Sequence, residues 1–295
     1  MSDGLKQKLK PRVRELKYGL ILLKKNKVSL LGLLIIGIFL FTAIFAPILA
    51  PYPKHAQEYT NMKEQLQPPN QEHLLGTDSM GRDVLSRIIY GTRISLQVGL
   101  LAIGIALVIG VPLGVIAGTF GGYVDEVIMR VVDTFLSFPP LLLALAISSI
   151  LGPSLRNAMI AISIAWWPWY TRIIRGEAVS VKEKPFVEAA KSIGEGKIKI
   201  AFRHILPNTI TPIIVQSSMD FGSIIITSAS LSFLGLGAQP PQPSWGLMIS
   251  SQRVYFLTHW WVVTFPGLAI LVTVLGFNLM GDGLRDIYDP KTRRR

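Results

Sequence analysis

The chain has 295 residues, of which 50% are hydrophobic and only 16% charged, with a mean hydropathy of +0.44. A soluble domain carries about a quarter of its residues as charges, so this balance points to lipid as the solvent. Cysteine is absent, which excludes disulfide frameworks and thiolate metal sites, and the four histidines (His55, His73, His204, His259) have no ligand spacing.

A bilayer core of about 30 Å takes about 20 apolar residues as helix. Residues 28–50 meet that without a charge, and residues 94–120, 134–155, 157–171, 209–237 and 259–281 follow as further spans. The fourth is short, but Arg156 and Arg172 at its ends can snorkel outwards and lengthen it. The expected fold is therefore an all-α membrane protein with six transmembrane helices. Residues 1–27 form a basic tail, where Leu16, Leu20 and Leu23 among lysines suggest an amphipathic helix over 14–25 on the inner leaflet. The run 28–50 is longer than a signal sequence's apolar region of about 7–15 residues. Pro51 follows Ala50 where cleavage would fall, so the run reads as an uncleaved anchor.

The net charge of +12 is a topology signal and not a nucleic-acid footprint. The tail to Lys27 carries nine basic against two acidic residues, and 172–203 carries eight against four, whereas 50–93 balances five against five. Basic residues gathered in alternate hydrophilic segments follow the positive-inside rule. With six spans, both termini and a long loop over 173–208 fall in the cytoplasm, and 51–93 falls outside. Within that outer loop, residues 82–90 predict an interfacial helix with Val84, Leu85, Ile88 and Ile89 on one face. Asp83 and Arg87 read as an i,i+4 surface pair on the other. The five later spans make a core over 94–282, and 283–295 is a cytoplasmic tail.

A transporter draws energy from an ion gradient or from a nucleotide. The first usually needs ionisable groups within the spans, and Asp220 is the one obvious intramembrane carboxylate. The second needs a phosphate-cradling loop. Gly194-Glu195-Gly196-Lys197 has Lys191 where the first glycine belongs and Ile198 where Ser or Thr would hold magnesium. The chain therefore does not hydrolyse ATP by itself, and an ATP-driven mechanism requires a partner ATPase. The candidate contact is residues 185–194, a short helix with Pro185 at its start and Gly194 at its end.

Here a resemblance becomes specific. Glu188-Ala189-Ala190, three residues, Gly194, and then a fixed gap to Leu206-Pro207 resemble the EAA loop of prokaryotic ABC importer permeases. Arg203-His204-Ile205-Leu206-Pro207-Asn208 is similar to the peptide-transporter version. Gly76-Thr77-Asp78, Gly81-Arg82-Asp83, Leu231-Ser232-Phe233-Leu234-Gly235-Leu236-Gly237 and Pro243-Ser244-Trp245-Gly246 resemble the dipeptide/oligopeptide and nickel branch. The resemblance implies the six-helix type I permease fold, half of a path for peptides, and a place in the cytoplasmic membrane of a prokaryotic cell. It implies four kinds of partner: a related second permease, two ATPase subunits that hold ATP and Mg, an extracytoplasmic substrate-binding protein, and the peptide itself. It assigns Glu188, Ala189, Ala190, Gly194, Leu206 and Pro207 to the ATPase-coupling loop, with no cofactor or metal in this chain. Many relatives have Glu near position 228, where this chain has Ser228.

Asp220 has two readings: a pore-lining group that senses a cationic substrate, shared with Ser228, or a polar bond to a neighbouring helix. Trp166, Trp167, Trp169, Trp260 and Trp261 read as interfacial anchors. The rival functions are an ion-driven secondary transporter using Asp220, an importer of nickel chelates or sugars, and a scaffold without its own path. A membrane enzyme is excluded for want of paired carboxylates, a Ser/Lys pair or a His cluster within one span.

Overall fold

The computed structural model describes residues 27–288; the amphipathic helix expected at 14–25 and the tail beyond 288 lie outside them. The described residues form helices α1 (Lys27–Leu49), α2 (Val84–Phe120), α3 (Gly122–Leu136), α4 (Pro140–Leu151), α5 (Leu155–Lys182), α6 (Pro185–Ser192), α7 (Lys197–Ile200), α8 (Ile210–Phe233), α9 (Trp245–Gln252) and α10 (Trp261–Tyr288). Among the described residues no strand forms, only an isolated bridge between Thr77 and Asp83. Helices α1, α2, α8 and α10 are each long and apolar enough to cross a membrane, and α3 with α4 makes a fifth span if that bent pair is counted as one. The chain is thus an all-helical membrane protein with several spans.

Three expectations about boundaries change. The separate interfacial helix over 82–90 does not form, because α2 begins at Val84 and runs 37 residues without a break. Its N-cap is Asp83, whose carboxylate accepts the Ser86 N–H at 2.7 Å. The single rod expected over 134–155 is instead two helices bent by 87°. Pro139 and Pro140 cause this, since the residue before a proline is driven out of the α region and Pro139 sits at φ −57°, ψ 130°. The short span over 157–171 is part of a 28-residue helix, α5, which continues to Lys182 through the first ten residues of the stretch expected as loop. Its second half carries Arg172, Arg175, Glu177 and Lys182, so α5 is sheathed by protein and by ion pairs. Arg175 binds the Asp125 carboxylate of α3 through both Nε (3.0 Å) and Nη2 (2.5 Å), and Arg172 pairs with Asp133.

The most extensive helix contact is α2 on α5. Gly110, Gly114 and Gly118 stand one turn apart on α2, and a Cβ on Gly110 or Gly114 would lie 2.6 Å from a backbone carbonyl oxygen of α5. One on Gly118 would lie 2.6 Å from the Ala178 Cβ. Membrane helices have no hydrophobic drive between them, so small residues that let backbones touch supply dispersion instead. The Thr171 hydroxyl closes the contact by donating to the Gly110 carbonyl at 3.1 Å. Helix α1 is held on α10 in the same manner, with a Cβ on Gly32 only 2.6 Å from the Met280 nitrogen.

Two separate cores result. The larger is crossed by an aromatic ladder: Phe221 stacks on Phe277 (4.1 Å between centroids), which meets Phe39 edge-on (5.8 Å), which meets Trp245 (6.4 Å). The smaller gathers Val115, Ile174, Ala178, Val181, Val187, Ala190, Ile200, Ala201, Ile205 and Ile213. It sits where α5 turns into α6 and α7. Trp166, Trp167 and Trp261 are buried, not interfacial as expected; Trp169 and Trp260 are exposed.

Candidate functional site

At one end of the bundle lies a compact lid built from residues 50–90 and 238–261. Its centre is Asp83. The carboxylate of Asp83 caps α2 through Ser86 N–H and meets His73 Nδ1 at 2.9 Å, while its own backbone N–H donates to His55 Nδ1 at 2.9 Å. Arg87 donates to the carbonyls of His55 (3.1 Å) and Pro241 (3.4 Å), and Arg82 Nε donates to Asp78 at 2.7 Å. Asp83 and Arg87 are therefore buried rather than a surface pair, at 1% and 2% exposure. The lid closes over a distance of more than 150 residues in sequence. Trp245 Nε1 donates to the Ile88 carbonyl (3.1 Å), Trp261 Nε1 to the Thr77 carbonyl (3.3 Å), and Gln252 Nε2 to Ser79 Oγ (2.9 Å). His55 and His73 do come close, with ring centroids 6.2 Å apart, yet among the described residues no group of His, Asp and Glu is placed to hold a metal.

Burial pushes the His55 imidazole below its ordinary value, against the opposing pull of Asp83. The neutral ring is the one that can accept the Asp83 N–H. Below an ordinary histidine value of about 6.5 the unfolded chain binds the proton first. The stabilisation is complete above that pH and is lost as the pH falls from there towards the folded value. Thermal unfolding of the purified chain is expected to start at lower temperature at pH about 5.5 than at about 7.5. His55→Asn places an acceptor oxygen near the Nδ1 position without the titration, and it is expected to flatten that difference. An unchanged slope would assign the acid sensitivity to another group.

At the opposite end, α6 stands as an elbow between α5 and α8. Pro185 starts it and Gly194 stops it in a complete Schellman motif: Glu195 N–H donates to the Ala190 carbonyl (3.1 Å) and Gly194 N–H to that of Lys191 (2.9 Å). Gly194 has φ +80°, where a side chain is strained. Val187 and Ala190 plug the smaller core, whereas Glu188, Ala189 and Gly194 face out and Ile193 is 83% exposed. Ala190 thus anchors the elbow and Ala189 presents it. Leu206 packs on the same core and Pro207 is exposed. Behind the elbow, Glu195 binds Lys199 Nζ (2.8 Å) and His204 Nε2 (2.5 Å). The Lys199 ammonium first, and His204 after it, hold the Glu195 carboxyl below its ordinary value. This pairing tells what His204 does: it braces the elbow's C-terminal side. Nothing in local sequence pattern joins positions 195 and 204, because His204 sits within a π-helical turn over Ala201–Ile205 and not in a regular α-helix.

The elbow is thus a short helix with Pro185 at its start and a Schellman turn at its end, seated on its own core. Residues 110–294 match the family model described as binding-protein-dependent transport system inner membrane component, and residues 17–69 match the N-terminal TM domain of oligopeptide transport permease C. The chain belongs to the binding-protein-dependent transport family. This permease is 49% identical over 271 residues to the dipeptide transport system permease protein DppC of Alkalihalophilus pseudofirmus, covering 92% of this chain and 88% of that one. It is 49% identical to DppC of Escherichia coli (92% and 91% covered) and 42% identical to the glutathione transport system permease protein GsiD of Pectobacterium atrosepticum (91% and 89%). A solved chain of the MetNI methionine ABC transporter, in an inward-facing conformation, shares the fold with a TM-score of 0.54 at 17% identity, covering 69% of this chain and 97% of that one. The permease is a transport component of an ABC importer and not an enzyme.

The candidate pore residues sit on α8. Asp220 and Ser228 are both buried inside the permease, at 7% and 8% exposure. Asp220 Oδ1 accepts from Gln216 Nε2 at 2.9 Å, and the Asp220 carboxylate also neighbours the Tyr170 hydroxyl of α5. The outward face of α8 carries Ser223, Ile226 and Phe233, with Ser230 half-buried between them. A shallow hollow of about 340 Å³ lies there against Ile249 and Ile270. This face carries no charge, so no sequence motif marks it.

Proposed function

We propose that the permease forms half of a peptide path across a prokaryotic cytoplasmic membrane, driven through the α6 elbow by separate ATPase subunits. The observation that carries this is the elbow: an exposed short helix, closed by a Schellman turn, whose inward residues belong to a core shared with α2, α5 and α8. A push on it reaches three long helices at once. In this reading α5 is the sixth span, sheathed by its neighbours, and both termini and the elbow lie in the cytoplasm. The lid then lies outside, where a substrate-binding protein delivers its ligand. A related second permease completes the path, and two ATPase subunits bind ATP and Mg and each receive one elbow. Dipeptides and short peptides are the substrate class, as the names of the relatives at 42–49% identity support. The path on this side is the outward face of α8 with Ser223, Ile226 and Ser230. The test is uptake of a labelled dipeptide into proteoliposomes holding the co-purified complex. ATP-dependent uptake that requires the binding protein is expected, and uptake by the permease alone under an ion gradient would refute the reading.

Asp220 is assigned to the α5–α8 contact through Tyr170 and not to the path. Polar contacts between membrane helices are worth about 0.6 kcal/mol on average, so Asp220→Asn is expected to lower thermal stability slightly. The ratio of cationic to neutral dipeptide uptake is expected to stay as in the wild type. A selective loss of cationic substrates would return Asp220 to the path.

A further inference from the structure

Beside the elbow is an open groove of about 810 Å³ formed by Phe120 at the end of α2 together with Gly196, Lys197, Ile198, Phe202 and Arg203. Lys199 completes its rim, so three cations line it and no carboxylate does. Lys199 is already paired with Glu195. Lys197 makes no ion pair among the described residues and lies over the Phe120 ring at 5.8 Å. Arg203 likewise has no acidic partner among them. Between the cations, Ile198 is 68% exposed and Phe202 39%. Phe120 is the last residue of an apolar membrane-crossing helix, which sets the groove at the depth of the headgroups.

We propose that this groove binds an anionic phospholipid, its phosphate held by Lys197 and Arg203 and its acyl chain laid on Phe120, Ile198 and Phe202. The assignment rests on the reading that the elbow is cytoplasmic, because the inner leaflet is where a headgroup at this depth would reside. Charge complementarity selects the occupant. An anionic lipid supplies a phosphate for the unopposed cations and hydrocarbon for the exposed apolar residues at one depth. The chain's own N-terminal tail, with nine basic residues against two acidic, would be repelled. The groove lies beside the exposed apex 188–194 and not on it, so an ATPase seated on the apex leaves room for the lipid. A lipid there would fix the elbow's C-terminal side to the bilayer, and the ATPase would push against a braced arm.

The test uses the full-length permease with its co-purifying subunits, in nanodiscs of phosphatidylcholine with or without phosphatidylglycerol. Native mass spectrometry counts the lipids retained. The wild type is expected to keep phosphatidylglycerol several-fold over phosphatidylcholine, and K197Q/R203Q to retain the two alike. Equal phosphatidylglycerol retention in the double variant overturns the proposal. So does its displacement by inorganic phosphate alone, which would make the groove a free-phosphate site, or a photo-crosslinker at Phe202 that captures a protein subunit instead of lipid. Orientation is read separately. The chain has no cysteine, so I193C gives a single label site. Labelling of I193C by an impermeant maleimide from outside intact cells would sink the cytoplasmic elbow. Labelling only in inverted vesicles, with unchanged lipid retention in the double variant, would sink the lipid site alone.

Discussion

Gly114→Leu is expected to leave the permease unable to fold, with no complex recovered from the membrane and no uptake. The first added carbon alone would stand 2.6 Å from the Thr171 carbonyl oxygen and 2.9 Å from the Ile174 Cβ. Extra methylenes in a well-packed core usually cost about 1–3 kcal/mol because side chains shift to admit them. Here the obstacle is backbone on both sides, and Gly110 and Gly118 hold the same two helices one turn above and below. Relief requires α2 and α5 to part along their length. The Thr171–Gly110 hydrogen bond and the smaller core would go with it. A loss of more than about 4 kcal/mol is then expected, in the exceptional range for one substitution. Gly104 on the same helix supplies the control, since a Cβ there meets nothing within 4 Å. Gly104→Leu is expected to express and transport normally. Equal recovery of the two variants by size-exclusion chromatography would show that the glycine contact is dispensable.

Gly194→Val is expected to abolish uptake while leaving the fold in place. The position has φ +80° and open space around it, so the cost comes from conformation and not from collision. Strain of this kind is about 1–3 kcal/mol, less than the 5–15 kcal/mol or so that holds a domain together. The chain is therefore expected to insert and purify. The strain is relieved most readily by unwinding the Schellman turn, which releases Glu195 from its bonds to Lys199 and His204 and turns the exposed face of Glu188, Ala189 and Ile193 away. In the assembled complex the ATPase should still hydrolyse ATP, but at a rate that no longer responds to the binding protein. Gly194→Ala, with less steric demand, should retain partial uptake. Full, coupled turnover in the valine variant would refute the elbow's role.

The elbow was readable in the sequence because every part of it is local. A proline, two alanines, a glycine and their spacing all fall within ten residues, and helix-end chemistry acts at that range. The lid was not readable, because its logic is long-range. Asp83 and Arg87 look like a routine exposed pair until residues 238–261 close over them and Trp245 and Trp261 reach across to α2 and Thr77. Trp261 reads as an interfacial anchor for the same reason, since its partner carbonyl on Thr77 lies more than 150 residues away. The α2–α5 contact could have been seen. Gly110, Gly114 and Gly118 at four-residue spacing in an apolar helix are the sequence form of a close helix contact. The break at Pro139-Pro140 is also present in the sequence, inside a run whose apolar residues continue on both sides of it.

Helix α2 has one further consequence. At 1.5 Å per residue its 37 residues reach about 55 Å, from the buried Asp83 in the lid to Phe120 beside the elbow. Pro112 removes one of its internal hydrogen bonds, but backbone contact with α5 at Gly110 and Gly114 holds the helix on either side of that point. Such a stiff strut converts a small tilt at its base into a displacement at its tip, much as a mast magnifies the roll of a hull. In the proposed mechanism, a movement at the elbow then reaches the mouth of the path without a chain of side-chain rearrangements between them.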